Sequence, residues 1–92
     1  MDYKIIFGNM PFAIAHAKNT IATATNPIEA MKCVIRHLPD YYRYELLAED
    51  GSDRFSLSGS TTHLLLRVSD VHGVIEVIPI TVKTLASSTF PE

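Results

Sequence analysis

Apolar positions recur along this chain with two different periods. From Ile28 to Leu38 they fall every three or four residues: Ile28, Met31, Val34, Ile35 and Leu38. That spacing lays one oily stripe along a helix, with Glu29, Lys32, Cys33 and Arg36 on the other side. The ends are marked as well. Asn26 can accept an orphan N–H of the first turn, and Pro27 occupies the position where a missing N–H costs nothing. Glu29, three residues after Asn26, completes a pattern like a capping box. Pro39 pushes Leu38 out of the helical region. The spacing therefore predicts a helix over Pro27–Leu38.

Elsewhere the apolar residues alternate or run together, as in strands. Tyr3–Phe7 is a predicted strand, stopped by Gly8-Asn9, and Pro11 breaks the chain again. The run Ala13–Thr25 mixes helix-favouring Ala with strand-favouring Thr. A strand over Thr20–Thr25, returning beside the first, is the favoured reading. Tyr41–Leu47 is a third strand. Glu49-Asp50-Gly51-Ser52 holds the Asp-Gly pair of a tight hairpin turn, with Arg54–Leu57 as the short returning strand. Ser58–Thr62 is a polar loop, and His63–Val68 fits a short strand or a helical turn. His72-Gly73 turns the chain into Val74–Val82, the most apolar strand.

The predicted order is strand, strand, helix, strand, strand, strand. It suggests an α+β domain over residues 1–85, a ubiquitin-like β-grasp. Its mixed sheet would have four to five strands, with one helix packed on one face. In that layout the last strand lies beside the first and parallel to it, at the centre of the sheet, where a Val/Ile-rich strand belongs. A ferredoxin-like layout competes. It needs a second crossover helix, which only Thr61–Val68 could supply. Residues 86–92 are read as a frayed tail.

Composition narrows the function classes. Ninety-two residues suit one domain, which would bury roughly 60–65% of its unfolded surface. A net charge of −2 offers no electrostatic reason to expect nucleic acid. The apolar run Val74–Ile80 is interrupted by Glu76 and falls far short of the roughly 20 residues that span a membrane. Met1-Asp2-Tyr3-Lys4 lacks the pattern of a signal peptide. A single cysteine excludes an internal disulfide, which fits a reducing compartment.

Three stretches carry a family resemblance. They are Tyr3-Lys4-Ile5-Ile6-Phe7-Gly8, Asn26–Met31 continuing through Ile35-Arg36-His37-Leu38-Pro39, and Val74-Ile75-Glu76-Val77-Ile78-Pro79. In this order they resemble the opening strand, the "EAIRAL…LP" helix and the closing strand of the N-terminal domain of lambda-type bacteriophage tail-assembly protein I. Glu76 stands where that family usually has His. The likeness spans about residues 3–83. It implies a ubiquitin-like domain of a tail-tip assembly factor, in the host cytoplasm or associated with the virion. The family continues into a Gly/Ala-rich apolar region and carries glycines soon after its last strand. Lys83-Thr84-Leu85-Ala86-Ser87 has none, so a ubiquitin-style Gly-Gly tail is not supported.

The search for chemistry yields little. No Cys-x-x-Cys, His-Glu-x-x-His, dinucleotide or P-loop pattern occurs. His16, His37, His63 and His72 are scattered, and read as surface or half-buried residues rather than as metal ligands. Cys33 lies mid-helix on the polar side, not at a helix N-terminus where its thiol would be activated. Glu49, Asp50 and Asp53 match no calcium-loop spacing and read as a solvated turn. No catalytic residue, cofactor or metal is therefore expected.

Binding surfaces are the better candidates. In Tyr41-Tyr42-Arg43-Tyr44, alternation puts Tyr42 and Tyr44 on one face and Tyr41 with Arg43 on the other. One tyrosine pair should be core and the other exposed, a composition favoured at interfaces. In the last strand Glu76 would make its own face the outer one, unless Lys4 pairs with it. Ile6, Val74, Ile78 and Ile80 would then form an exposed apolar patch. The expected partner surface is thus Tyr42, Arg43, Tyr44, Ile6, Val74, Glu76, Ile78 and Ile80. The expected partner is a protein, either a phage tail-tip component or a host protein, and neither a nucleic acid nor a membrane. A small phage-encoded inhibitor of a host defence protein is the alternative.

Overall fold

The computed structural model describes residues 1–9, 19–57 and 59–85. The break at Pro11, the Ala-rich part of Ala13–Thr25 before Asn19, His16, Ser58 and the tail at 86–92 lie outside the described residues.

The helix forms where its caps place it. Helix α1 runs Pro27–Ile35, and the chain then turns through 36–38. Asn26, in extended backbone at φ −157°, accepts the Glu29 N–H at 2.9 Å. The last carbonyls accept from His37 N at 3.0 Å and Leu38 N at 3.1 Å. This tightened end carries Leu38 into the core before Pro39. Ala30, Met31, Val34 and Leu38 are buried, with Ile28 and Ile35 packed at the margin. Lys32 and Arg36 face solvent, whereas Cys33 is half-buried rather than free on the polar side.

Five strands make one sheet: β1 (Asp2–Phe7), β2 (Asn19–Thr23), β3 (Arg43–Ala48), β4 (Thr61–Asp70) and β5 (Gly73–Thr84). Their order is β2-β1-β5-β4-β3. One helix among strands and the central place of the last strand both hold. The predicted direction does not. β5 pairs β1 antiparallel, from Tyr3↔Thr84 to Phe7↔Ile80, so the sheet is antiparallel throughout rather than mixed. The sense against β1 is set early, where the chain leaves α1 and enters β3 running opposite to β1. The turn before β5 fixes its direction against β4 only. Asp70 pairs Gly73, leaving Val71 and His72 between the strands, and a link that short reverses the chain. The turn is locked by the Asp70 carboxylate, which accepts the His72 N–H at 2.7 Å, and by Gly73 at φ +123°.

The stretch read as strand or helical turn is a ten-residue strand, β4, so the ferredoxin-like alternative has no second crossover helix there. Thr62, Leu64, Leu66 and Val68 are buried in strict alternation. The predicted returning strand at Arg54–Leu57 does not form. β3 pairs β4 directly, with Ala48↔Leu64 as the last pair, and residues 49–57 are loop. The Asp-Gly turn is present, with Gly51 at φ +87°. Beyond it, the Asp50 carboxylate accepts from Ser52 N (2.9 Å), and the Ser52 hydroxyl accepts from Arg54 N (3.2 Å). These local bonds compete with a strand ladder.

The core lies between α1 and one face of the sheet. Ile5, Met31, Leu66, Val68, Ile78, Ile80 and Val82 are its most fully enclosed side chains. β1 stops pairing at Ile80, just before Pro79, whose carbonyl accepts the Gly8 N–H at 2.9 Å. The stretch of β5 before that point extends past the end of β1. Truncating Met31, which has no exposed surface, to Ala should destabilise the domain by about 2–5 kcal/mol in urea unfolding. Lys32→Ala should change stability by less than about 0.5 kcal/mol. Equal effects would refute the face assignment.

Candidate interaction surface

One helix covers one face, so the other face of the sheet lies open among the described residues. Registers across the strands place Ile21 opposite Lys4, Lys4 opposite Lys83, Ile6 opposite Thr81, Pro79 opposite Leu65, and Val77 opposite Arg67. Directly opposed residues share a face. Ile21 is 63% exposed and Val77 50% exposed, with Pro79 exposed and Ile6 and Leu65 half-exposed beside them. The face is therefore apolar at its middle.

Its charges are arranged unevenly. Arg67 donates to Glu45 across β3 and β4. Lys4 and Lys83 are directly opposed, both exposed. The carboxylate two residues from Lys4 on β1, that of Asp2, accepts from the Thr23 hydroxyl at 2.6 Å. The ion pairs among the described residues are Lys32–Glu29 and Arg67–Glu45, and neither involves this lysine pair. Like charges set opposite one another destabilise a sheet.

The predicted surface residues divide between the two faces. Ile6 and Arg43 lie on the open face, half-exposed and exposed respectively. Val74, 56% exposed, stands beside the β4–β5 turn. Tyr42 and Tyr44 are half-buried against the core on the helix side, and Tyr41 is the exposed member of the pair. Glu76, Ile78 and Ile80 are buried on the helix side of the sheet, opposite to the expected outer position. Lys4 is on the other face and does not pair with Glu76. The balance of magnitudes explains the phase. Burying Ile78, Ile80 and Val82 gains roughly 1.5–3 kcal/mol each, more together than the several kcal/mol that one buried carboxylate costs. Strict alternation along β5 from Glu76 to Val82 carried the correct phase, had the three aliphatics been weighed against the single charge. The open-face residues Val77, Pro79 and Lys83 were legible from the same pattern.

At the helix side, the row Tyr44–Val68–Glu76 crosses β3, β4 and β5 in register. The Tyr44 hydroxyl donates to the Pro39 carbonyl at 2.6 Å, tying β3 to the end of the helix turn. Tyr42 packs against it edge-on, with ring centroids 6.5 Å apart, and Tyr41 lies 4.4 Å from Tyr42. Burial, followed by the neighbouring phenols and Asp40, pushes the Tyr44 phenol up to about 12. The Tyr42 phenol is also raised, first by its hydrogen-bond interaction with Tyr41, then by burial and the nearby charges, Asp70 and Glu76 among them. Asp50, in the turn after β3, is held low by its bonds to Ser52. Both Glu76 carboxylate oxygens are inaccessible and have no hydrogen-bond partner among the described residues.

Among the described residues no three His, Cys, Asp or Glu side chains converge on a point where a metal could sit. No helix among the described residues is long and apolar enough to cross a membrane. No protein-family model matches the chain, and comparison with curated proteins and with solved structures finds no similar one.

Two outcomes test this geometry. Below pH 10 the folded and unfolded chains both keep the Tyr44 proton. Between about 10 and about 12 the unfolded chain loses it and the folded chain does not. The contribution of Tyr44 to stability should therefore be complete below pH 10 and vanish as pH rises toward 12. Tyrosinate absorbance should show a late-ionising phenol in wild type that is missing from Tyr44→Phe. Replacing Glu76 by Leu should raise stability by about 1–3 kcal/mol, because an unsatisfied buried acceptor is removed. A loss of stability in urea unfolding would reveal a favourable partner for the carboxylate.

Proposed function

We propose that this domain is a non-enzymatic protein-binding module, and that its working surface is the open face of the sheet. The observation that carries this reading is the opposed pair Lys4–Lys83 beside the apolar residues Ile6, Ile21, Val77 and Pro79. The partner that fits is a protein presenting carboxylates to the two lysines and an apolar patch to the middle of the face. Carboxylates would relieve the repulsion, and burial of the aliphatics would supply the affinity. The resemblance to tail-assembly protein I supports a tail-tip component as that partner. The antiparallel pairing of β1 with β5 departs from the β-grasp that the resemblance implies, so that support comes from sequence alone.

The test is quantitative binding to a partner recovered from infected cells by cross-linking. Val77→Ser with Ile21→Ser should weaken that complex at least about tenfold, equivalent to about 1.4 kcal/mol. Lys4→Glu with Lys83→Glu should slow association and reduce its dependence on salt. Lys32→Ala, on the outside of the helix, should leave binding unchanged. Undiminished binding by both open-face variants, each shown to be folded, would exclude this face. Recovery of a host protein rather than a tail protein would point to inhibition in place of assembly.

A further inference from the structure

The buried carboxylate of Glu76 has no role in the open face, and its surroundings point to a second site. Buried polar groups are nearly always partnered, and an exception calls for an explanation. Glu76 is 8% exposed, and neither of its oxygens has a partner among the described residues. On β4, Val68 pairs with Glu76; past a register shift, Asp70 ends the strand, its carboxylate already accepting the His72 N–H. On the chain before β3, Tyr42 is two residues from Tyr44 and packs edge-on against it. The corner therefore gathers two carboxylates and a set of tyrosine rings. The ion pairs of the described residues lie elsewhere, Arg67–Glu45 on the opposite face and Lys32–Glu29 on the helix exterior. Among the described residues no third ligand is present for a metal ion.

We propose that Glu76, Asp70 and Tyr42 form a receptor site for one arginine side chain of a partner protein. A guanidinium is planar, pairs two-pronged with a carboxylate, and stacks on aromatic rings. It is also less strongly hydrated than an ammonium group, so it enters a half-dry corner at lower cost. The Tyr42 phenol is raised in part by Asp70 and Glu76, in keeping with that register. Glu76 is covered in the free protein, so entry displaces part of the cover. Tyr41, 73% exposed and stacked on Tyr42, is the ring least held by the core. This stretch of β5 lies beyond the last pair with β1, Phe7↔Ile80, so among the described residues only β4 flanks it. The site is on the helix side and stands independently of the open face.

The probe is L-argininamide, titrated into the isotopically labelled protein. Saturable shifts are expected at the amides of Tyr42, Val68 and Glu76. Affinity should fall at least about tenfold in Glu76→Gln and stay unchanged in Glu49→Gln, which alters an exposed turn carboxylate. If Glu76→Gln does not fold, Asp70→Asn and Tyr42→Leu carry the test, and each should weaken binding at least about threefold. The proposal is overturned if shifts at this corner do not saturate, or if the folded variants bind as tightly as wild type. Lysinamide binding with equal affinity, or calcium binding in its place, would overturn the guanidinium assignment.

Discussion

Among the described residues one nine-residue helix has to cover a five-stranded sheet, and it can cover only one side. Most of what is distinctive in this molecule follows from that shortage. The inward residues of β1, β4 and β5 meet Met31, Val34 and Leu38 and form the core. The outward residues of the same strands are left to solvent, even where they are aliphatic. The tyrosines of the 41–44 segment extend the helix's cover toward the edge of the sheet. They do so because the Tyr44 hydroxyl anchors on Pro39, at the end of the helix turn. Phe55 does the same for the loop after β3, packing against the core from a segment with no ladder bonds of its own.

The helix was the most legible element, because its signals are local. Asn26, Pro27 and the period of Ile28, Met31 and Val34 act within a few residues of one another. The first strand and the last were legible as well, through punctuation at Gly8 and His72-Gly73. β4 was harder. Leu64-Leu65-Leu66 conceals the alternation, since Leu65 points outward yet is as apolar as its neighbours. The returning strand after Asp50-Gly51 was misplaced because side-chain bonds from Asp50 and Ser52 hold the backbone in turns. The direction of β5 against β1 depends on a pairing between chain ends, which no local pattern encodes. The Val71-His72 turn fixes β5 against β4 and leaves its sense against β1 open.

The candidate surface was half legible for a related reason. Choosing which face of β5 is buried is one binary decision, and Glu76 argued for the wrong answer. A charge in a strand usually marks the solvent side. Here three aliphatic residues in the same phase outweigh it, and the carboxylate is carried inward with them. The error thus coincides with the residue least explained by packing. Local rules tend to fail where a protein uses a residue for something other than stability.

The β1–β5 seam has a consequence for how the domain assembles. β3, β4 and β5 are consecutive, so their pairings close short loops and can form early. The seam joins Tyr3 to Thr84, almost the full length of the chain. Contacts of such long sequence separation are slow to form, and they place the rate-limiting search at this junction. The antiparallel meander of β3–β5 is then the part built first. β1 and β2 join as a hairpin, and the last step of folding is the closure that makes the sheet continuous.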